Sequence, residues 1–345
     1  MNQQSQQRPI AIWLLIGVGM IMIQVFLGGI TRLTGSGLSI TEWKPILGAL
    51  PPMNEAAWET AFEKYKQIGQ YKQIHFYFTL SDFKFIYFWE WFHREWARFM
   101  ALVFAVGFVY FLVKKMFTRT MIRPMIILFL LGGLQGLLGW VMVKSGLNEN
   151  DVYVSHIRLA IHFIAALGLL SYVLWFSLKL LLPENLGYFS LRMQLGIWGV
   201  LVLLIFQLVY GAFMAGMKAA VSAPTWPLIN GKWVPQDFIQ RNWVHDHLAV
   251  HFIHRGLAYL LTVLILLIVY NLHQHRVQPW VKKVSRIVAV ILITQVVLGI
   301  TTVMNATSPN ALLWLGVAHQ FVAMLLLTSW VILIYLTKQR KLKMV

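Results

Sequence analysis

Residues 193–216 run without a single Asp, Glu, Lys or Arg, and several other stretches are of comparable length and apolarity. A run beyond roughly 18 apolar residues crosses a bilayer as a helix, because lipid tolerates no backbone polar group left unbonded. That confines the chain to membrane-spanning helices. With 59% hydrophobic and 12% charged residues, it is too apolar for a water-soluble domain of 345 residues. Eight spans are predicted, at 10–30, 91–113, 122–143, 158–180, 193–216, 248–270, 284–304 and 311–336. The fold class is therefore an all-α integral membrane protein. There is no cysteine, which excludes disulfides, thiolate haem ligands, iron–sulfur clusters and cysteine zinc sites. The opening MNQQSQQRPI is short and polar, unlike a signal or transit peptide, so a retained first span is expected from Ile10.

The net charge of +17 sorts by side. Lys114, Lys115, Arg119, Arg123, Arg276, Lys282, Lys283, Arg286, Lys338, Arg340, Lys341 and Lys343 fall on one face, joined by Arg8, Lys179 and Arg192, with Glu184 as their lone acid. The opposite loops mix acids and bases. The positive-inside rule then makes both termini cytoplasmic. The basic excess reads as topology and attraction to anionic lipid, not as a nucleic-acid surface. On the outer side lie a long segment, 31–90, and a shorter one, 217–247. The first holds Gly35, Gly37, Pro45, Pro51 and Pro52 and an amphipathic stretch near 54–68, the makings of a cap.

An internal repeat organises the spans. Gln24 and Gly28, Gln135 and Gly139, Gln207 and Gly211, Gln295 and Gly299 place Q-x-x-x-G on every odd span. The i, i+4 spacing puts both residues on one helix face. There Gly permits close approach and Gln offers an interhelical hydrogen bond. The chain reads as two pseudo-symmetric four-helix bundles, 1–185 and 186–345.

Each even span carries a histidine toward its outer end: His93, His162, His254 and His319. The repeat-related pairs are separated by nearly equal offsets, as duplication predicts. Ionisable groups inside spans are functional candidates by default. Two imidazoles facing each other across a four-helix bundle suit an iron porphyrin better than zinc, which needs three or four protein ligands. Two separate interior chambers are expected, one per half. Arg94, Arg98, Arg158 and Arg255 flank these histidines and suit the carboxylates of such a ring.

The halves differ at one place. Glu90 precedes His93 by three residues, whereas the equivalent residue before His254 is His251. A carboxylate beside a reacting ring edge can handle protons or stabilise positive charge. Glu90 also has an ion-pair partner available in Arg94, and Glu95 lies on another face. His247, His251 and His254 form one helical stripe, an alternative outer copper or zinc site. His156, His245, His273 and His275 read as loop or solvated residues, and His75 has no visible partner.

The motifs GGITRLTGSGLSITEWKPILGALPP at 28–52, EWFHREWAR at 90–98, VKSGL at 143–147, RLAIHF at 158–163, TWPLINGKWVP at 225–235, HFIHRGLAY at 251–259 and LGVAHQ at 315–320 resemble the haem A synthase family over nearly the whole chain. The resemblance is to its cysteine-free bacterial and mitochondrial type, and the missing presequence favours a bacterial plasma (inner) membrane. It implies oxidation of the C8 methyl of haem O, through hydroxylated intermediates, to the formyl of haem A. It implies a resident haem b ligated by His254 and His319, a substrate haem between His93 and His162, and Glu90 as the catalytic carboxylate. It also implies a haem O synthase as substrate donor and terminal oxidase assembly factors as partners, with homo-oligomerisation open. A two-haem electron conduit and a haem-binding transporter or assembly chaperone are the competing readings.

Overall fold

The computed structural model describes residues 3–43, 47–182 and 189–338. Pro45, Glu184, Arg340, Lys341 and Lys343 lie outside the described residues. The described helices are α1 (Gln3–Leu33), α2 (Glu55–Lys66), α3 (Leu80–Val113), α4 (Arg119–Lys144), α5 (His156–Leu181), α6 (Leu191–Met217), α7 (His247–Gln274), α8 (Pro279–Met304) and α9 (Pro309–Thr337). All but α2 are long and apolar enough to cross a bilayer, which makes this a multi-pass all-α membrane protein with 8 candidate spans among the described residues.

The helix ends follow local chemistry. Pro279 and Pro309 open α8 and α9 at first-turn positions, where a missing N–H leaves no bond unmade. The largest departure from expectation is α3, which begins at Leu80 rather than near residue 91. A capping box explains the early start: Thr79 accepts from the Asp82 amide, and Asp82 accepts from the Thr79 amide at 2.9 Å. The stretch FWEWFHREWARFM is thereby helical throughout. The amphipathic stretch predicted near 54–68 is α2, capped by Asn54.

Burial separates inner from outer spans. In its most apolar window α9 is 56% buried and α1 44%, against 6% for α3 and for α4. The inner helices α1, α5, α6 and α9 pack against one another across the two halves of the sequence. Trp330 of α9 donates to the Ile197 carbonyl of α6 at 3.1 Å. Gln320 of α9 donates to the Val25 carbonyl of α1 at 2.7 Å. The outer helices each lean on the inner layer, α3 on α1, α4 on α5, α7 on α6 and α8 on α9. The same pairing thus recurs in the order of the repeat. On the outer side α2 lies over the start of α3, where Phe62, Tyr65, Phe83 and Ile86 form a separate apolar cluster.

Candidate functional site

Each histidine sits on the glycine of the span before it. A methyl group added to Gly28 would lie 3.1 Å from His93 Cε1, and one on Gly139 3.1 Å from His162 Cε1. On Gly211 it would lie 3.3 Å from His254 Cε1, and on Gly299 3.0 Å from His319 Cε1. Three of the four glutamines follow suit. Gln24 Nε2 reaches His93 Nε2 at 3.2 Å, Gln207 Nε2 reaches His254 Nε2 at 3.4 Å, and Gln295 Nε2 reaches His319 Nε2 at 3.2 Å. Q-x-x-x-G is therefore a seat for an imidazole. The glycine admits the ring against the helix backbone, and the glutamine meets its nitrogen.

These seats surround one cavity of about 1180 Å³, lined by all four histidines and by Glu90, Arg94, Arg98, His251 and Arg255. Where α1 meets α9, Gly29 and Gly316 face the side chains of Gln320 and Leu33. The volume exceeds the usual range of about 300–1,000 Å³ for a single small-ligand pocket.

The residues fit an iron porphyrin. The His254 and His319 rings have centroids 6.4 Å apart and planes at 75°. An ion held about 2 Å from two opposed imidazole nitrogens requires centroids roughly 6 Å apart. Where a glutamine amide donates to Nε2, that nitrogen carries a lone pair, the form in which imidazole binds a metal. Nδ1 of His162, His254 and His319 and Oε1 of Gln24, Gln207 and Gln295 are buried without a partner. Buried polar atoms in folded proteins are almost always paired, so orphans gathered along one cavity mark a place for something else.

Glu90 is almost fully buried. Its Oε2 accepts from Ser39 Oγ at 2.7 Å and from the Ile40 amide at 2.8 Å. Its Oε1 accepts from Arg94 Nη2 at 2.5 Å. Arg94 Nη2 and Nη1 also donate to the carbonyls of Ile40 and Glu42. In the second half His251 Nε2 accepts from Arg255 Nε at 3.1 Å. Arg255 then donates to the carbonyls of Ala223, Thr225 and Leu228. Each arginine fastens its own outer loop. Helical side chains lean toward the helix N-terminus, and α3 and α7 both start on the outer side, so these arginines point outward.

Arg158 is exposed, donates to the Val141 carbonyl at 3.1 Å and does not line the cavity. It too lies near the outer start of its helix, α5, and leans away from the interior. Arg98 does line the cavity and pairs with Glu95 one turn back. The stripe of His247, His251 and His254 does not converge: among the described residues no three His, Asp or Glu side chains could share an ion. His156 Nε2 donates to the Val244 carbonyl at 3.1 Å and lies edge-on to His245, so neither is simply solvated.

Sequence reasoning missed Ser39 and Ile40 as partners of Glu90, and it missed Arg32 and Lys218, which line the same cavity. All but Lys218 stand inside the GGITRLTGSGLSI segment that carried the resemblance. Aligning the repeat onward from Gln24 and Gln207 sets Gly35 against Lys218, a pairing that would have exposed the lysine.

Fold and cavity together define a class: a helical multi-pass membrane protein whose interior presents paired imidazoles seated on glycines. Comparison with known families makes this specific. The model described as COX15-CtaA, cytochrome oxidase assembly protein, matches residues 11–331, and the chain belongs to that family. A protein named heme A synthase from Flavobacterium psychrophilum is 40% identical over 335 residues, covering 94% of this chain and 97% of the relative. One of the same name from Flavobacterium johnsoniae is 36% identical, covering 94% and 97%. Another from Rhodospirillum centenum is 40% identical, covering 94% and 87%.

Proposed function

We propose that this protein is a haem A synthase, oxidising the C8 methyl of haem O to the formyl of haem A. The observation that carries the reading is the His254–His319 pair, 6.4 Å between ring centroids across one cavity, with three of the four glycine-seated rings holding an unpartnered Nδ1. In this reading residues 186–345 hold a resident haem b on His254 and His319. Residues 1–185 hold the substrate haem between His93 and His162. Haem b, when bound, supplies a one-electron relay. Arg94, Arg98 and Arg255 line the cavity and would supply donors to the carboxylates of a bound ring.

Glu90 takes or releases the proton of the reaction at Oε1 or Oε2. Ser39, Ile40 and Arg94 all donate to it, so it is held in one orientation before substrate arrives. In this reading the protein lies in the bacterial inner membrane, and the distribution of Lys and Arg supports cytoplasmic termini. It receives haem O from a haem O synthase and delivers haem A toward terminal oxidase assembly factors.

Co-expression with a haem O synthase, pigment extraction and mass determination test the reading. Haem A is expected with the intact protein. Extracts containing only haem O and haem b would refute it and leave an electron conduit or a haem carrier.

A further inference from the structure

Two cations reach the cavity that neither the repeat nor the reaction explains. Arg32 stands in the last turn of α1, in the first half, and Lys218 caps the end of α6, in the second. They meet at one side chain. The Arg32 guanidinium lies 4.8 Å from the Tyr153 ring centroid and Lys218 Nζ 4.5 Å from it, and Nζ donates to Tyr153 Oη at 2.9 Å. Arg32 also donates to the Gly216 carbonyl across the seam. Neither forms an ion pair with a carboxylate among the described residues. Arg32 Nε is buried with no partner at all.

Three physical points say that these charges await an anion. Two like charges facing one ring inside a membrane protein are costly unless something negative joins them. Both stand where their helices end, Arg32 in the last turn of α1 and Lys218 at the cap of α6, and both side chains line the cavity. The backbone at Lys218 is left-handed, with φ of +53°, a conformation that favours glycine. Its repeat counterpart is Gly35, also left-handed at +74°. The second half therefore places a lysine where its own fold prefers glycine, and the side chain is the one thing gained.

We infer that Arg32 and Lys218 form a single anion site at the outer end of the seam, shared by both halves, that takes the carboxylates of a bound porphyrin. The inference rests on the haem reading of the cavity. It makes Arg32 and Lys218 positioning residues: they fix how a ring is turned in the cavity, and through that which edge meets Glu90. It also makes carboxylate binding depend on both halves.

The test titrates the purified full chain in detergent with iron protoporphyrin IX and with its dimethyl ester, followed by Soret absorbance. The wild type is expected to prefer the free acid by about tenfold or more. Arg32→Gln and Lys218→Gly should each cut that preference severalfold while leaving ester affinity unchanged. Glycine suits the backbone at 218, so that variant is not exposed to a folding failure. An unchanged preference in both variants overturns the inference, as does a wild type that binds acid and ester equally. Loss of the wild-type preference on adding phosphatidylglycerol, but not phosphatidylcholine, would assign the cations to a lipid phosphate and also overturn it. A wild type that binds neither porphyrin would instead refute the haem reading itself.

Discussion

Arg94 and Arg255 occupy matching places in the two halves and hold matching outer loops, yet one leans on a carboxylate and the other on an imidazole. Glu90 accepts three hydrogen bonds. His251 accepts one, and its Nδ1 is buried without a partner. The repeat thus sets a carboxylate beside one glycine-seated imidazole and a second imidazole beside the other.

The largest effects should come from breaking the seats themselves. His254→Ala or His319→Ala is expected to abolish most of the haem b absorbance of the purified protein. His93→Ala or His162→Ala should leave that absorbance in place and remove haem A from extracts. Four variants with the same spectrum would erase the distinction between the halves.

Next comes the residue that differs. Glu90→Gln keeps the size of the side chain and removes its ability to take a proton, so haem A output should fall by about 100-fold or more. His251→Gln should change it by no more than a few-fold. Because Glu90 also pairs with Arg94 in a buried setting, Glu90→Gln will cost about 3 kcal/mol of stability or more. Retained haem b absorbance in that variant separates lost chemistry from lost fold. Comparable output from the two variants would make the asymmetry an accident of descent.

Much of this was legible before any coordinates. Spans follow from hydropathy, and the repeat marked the glycines and glutamines as contact residues, although only the structure shows that they meet the imidazoles. What the sequence hid depends on which way a side chain leans and on what comes across from another helix. Arg158 stands one turn from His162 on the same face, yet its side chain reaches the Val141 carbonyl and does not line the cavity. Arg32 and Lys218 are far apart in sequence and meet only because α1 and α6 end side by side.

Smaller effects should follow from crowding one seat at a time. Gly28→Ala brings a methyl group to 3.1 Å from His93 Cε1, and Gly211→Ala one to 3.3 Å from His254 Cε1. Each ring must yield by a few tenths of an ångström. The first change is expected to weaken substrate haem binding severalfold without altering the haem b spectrum, and the second to shift that spectrum while sparing substrate affinity. A shared phenotype would mean that the two seats are mechanically coupled, with Gln320 against α1 as the connection.

The smallest effect tests a feature that the first half has alone, its outer cap. Tyr65 donates to Gln70 Oε1 at 2.9 Å, so the 2.6 Å contact between its oxygen and His75 Nδ1 has the imidazole as donor. The ring also stacks on Phe78, 4.0 Å between centroids. Burial, with the nearby Lys218 charge, pulls His75 down to about 4 from the ordinary 6.5. The unfolded segment therefore takes up a proton near pH 6.5 that the folded cap refuses until about pH 4. Its contribution is complete above pH 6.5, shrinks as the pH falls and is fully lost below 4. Amide exchange across residues 55–79 should lose protection over that window, and His75→Phe, which keeps the stack, should flatten the slope. An equal slope in both proteins would place the acid sensitivity elsewhere. It would also leave the cap an inert cover, no more responsive than the shorter loop over the second half.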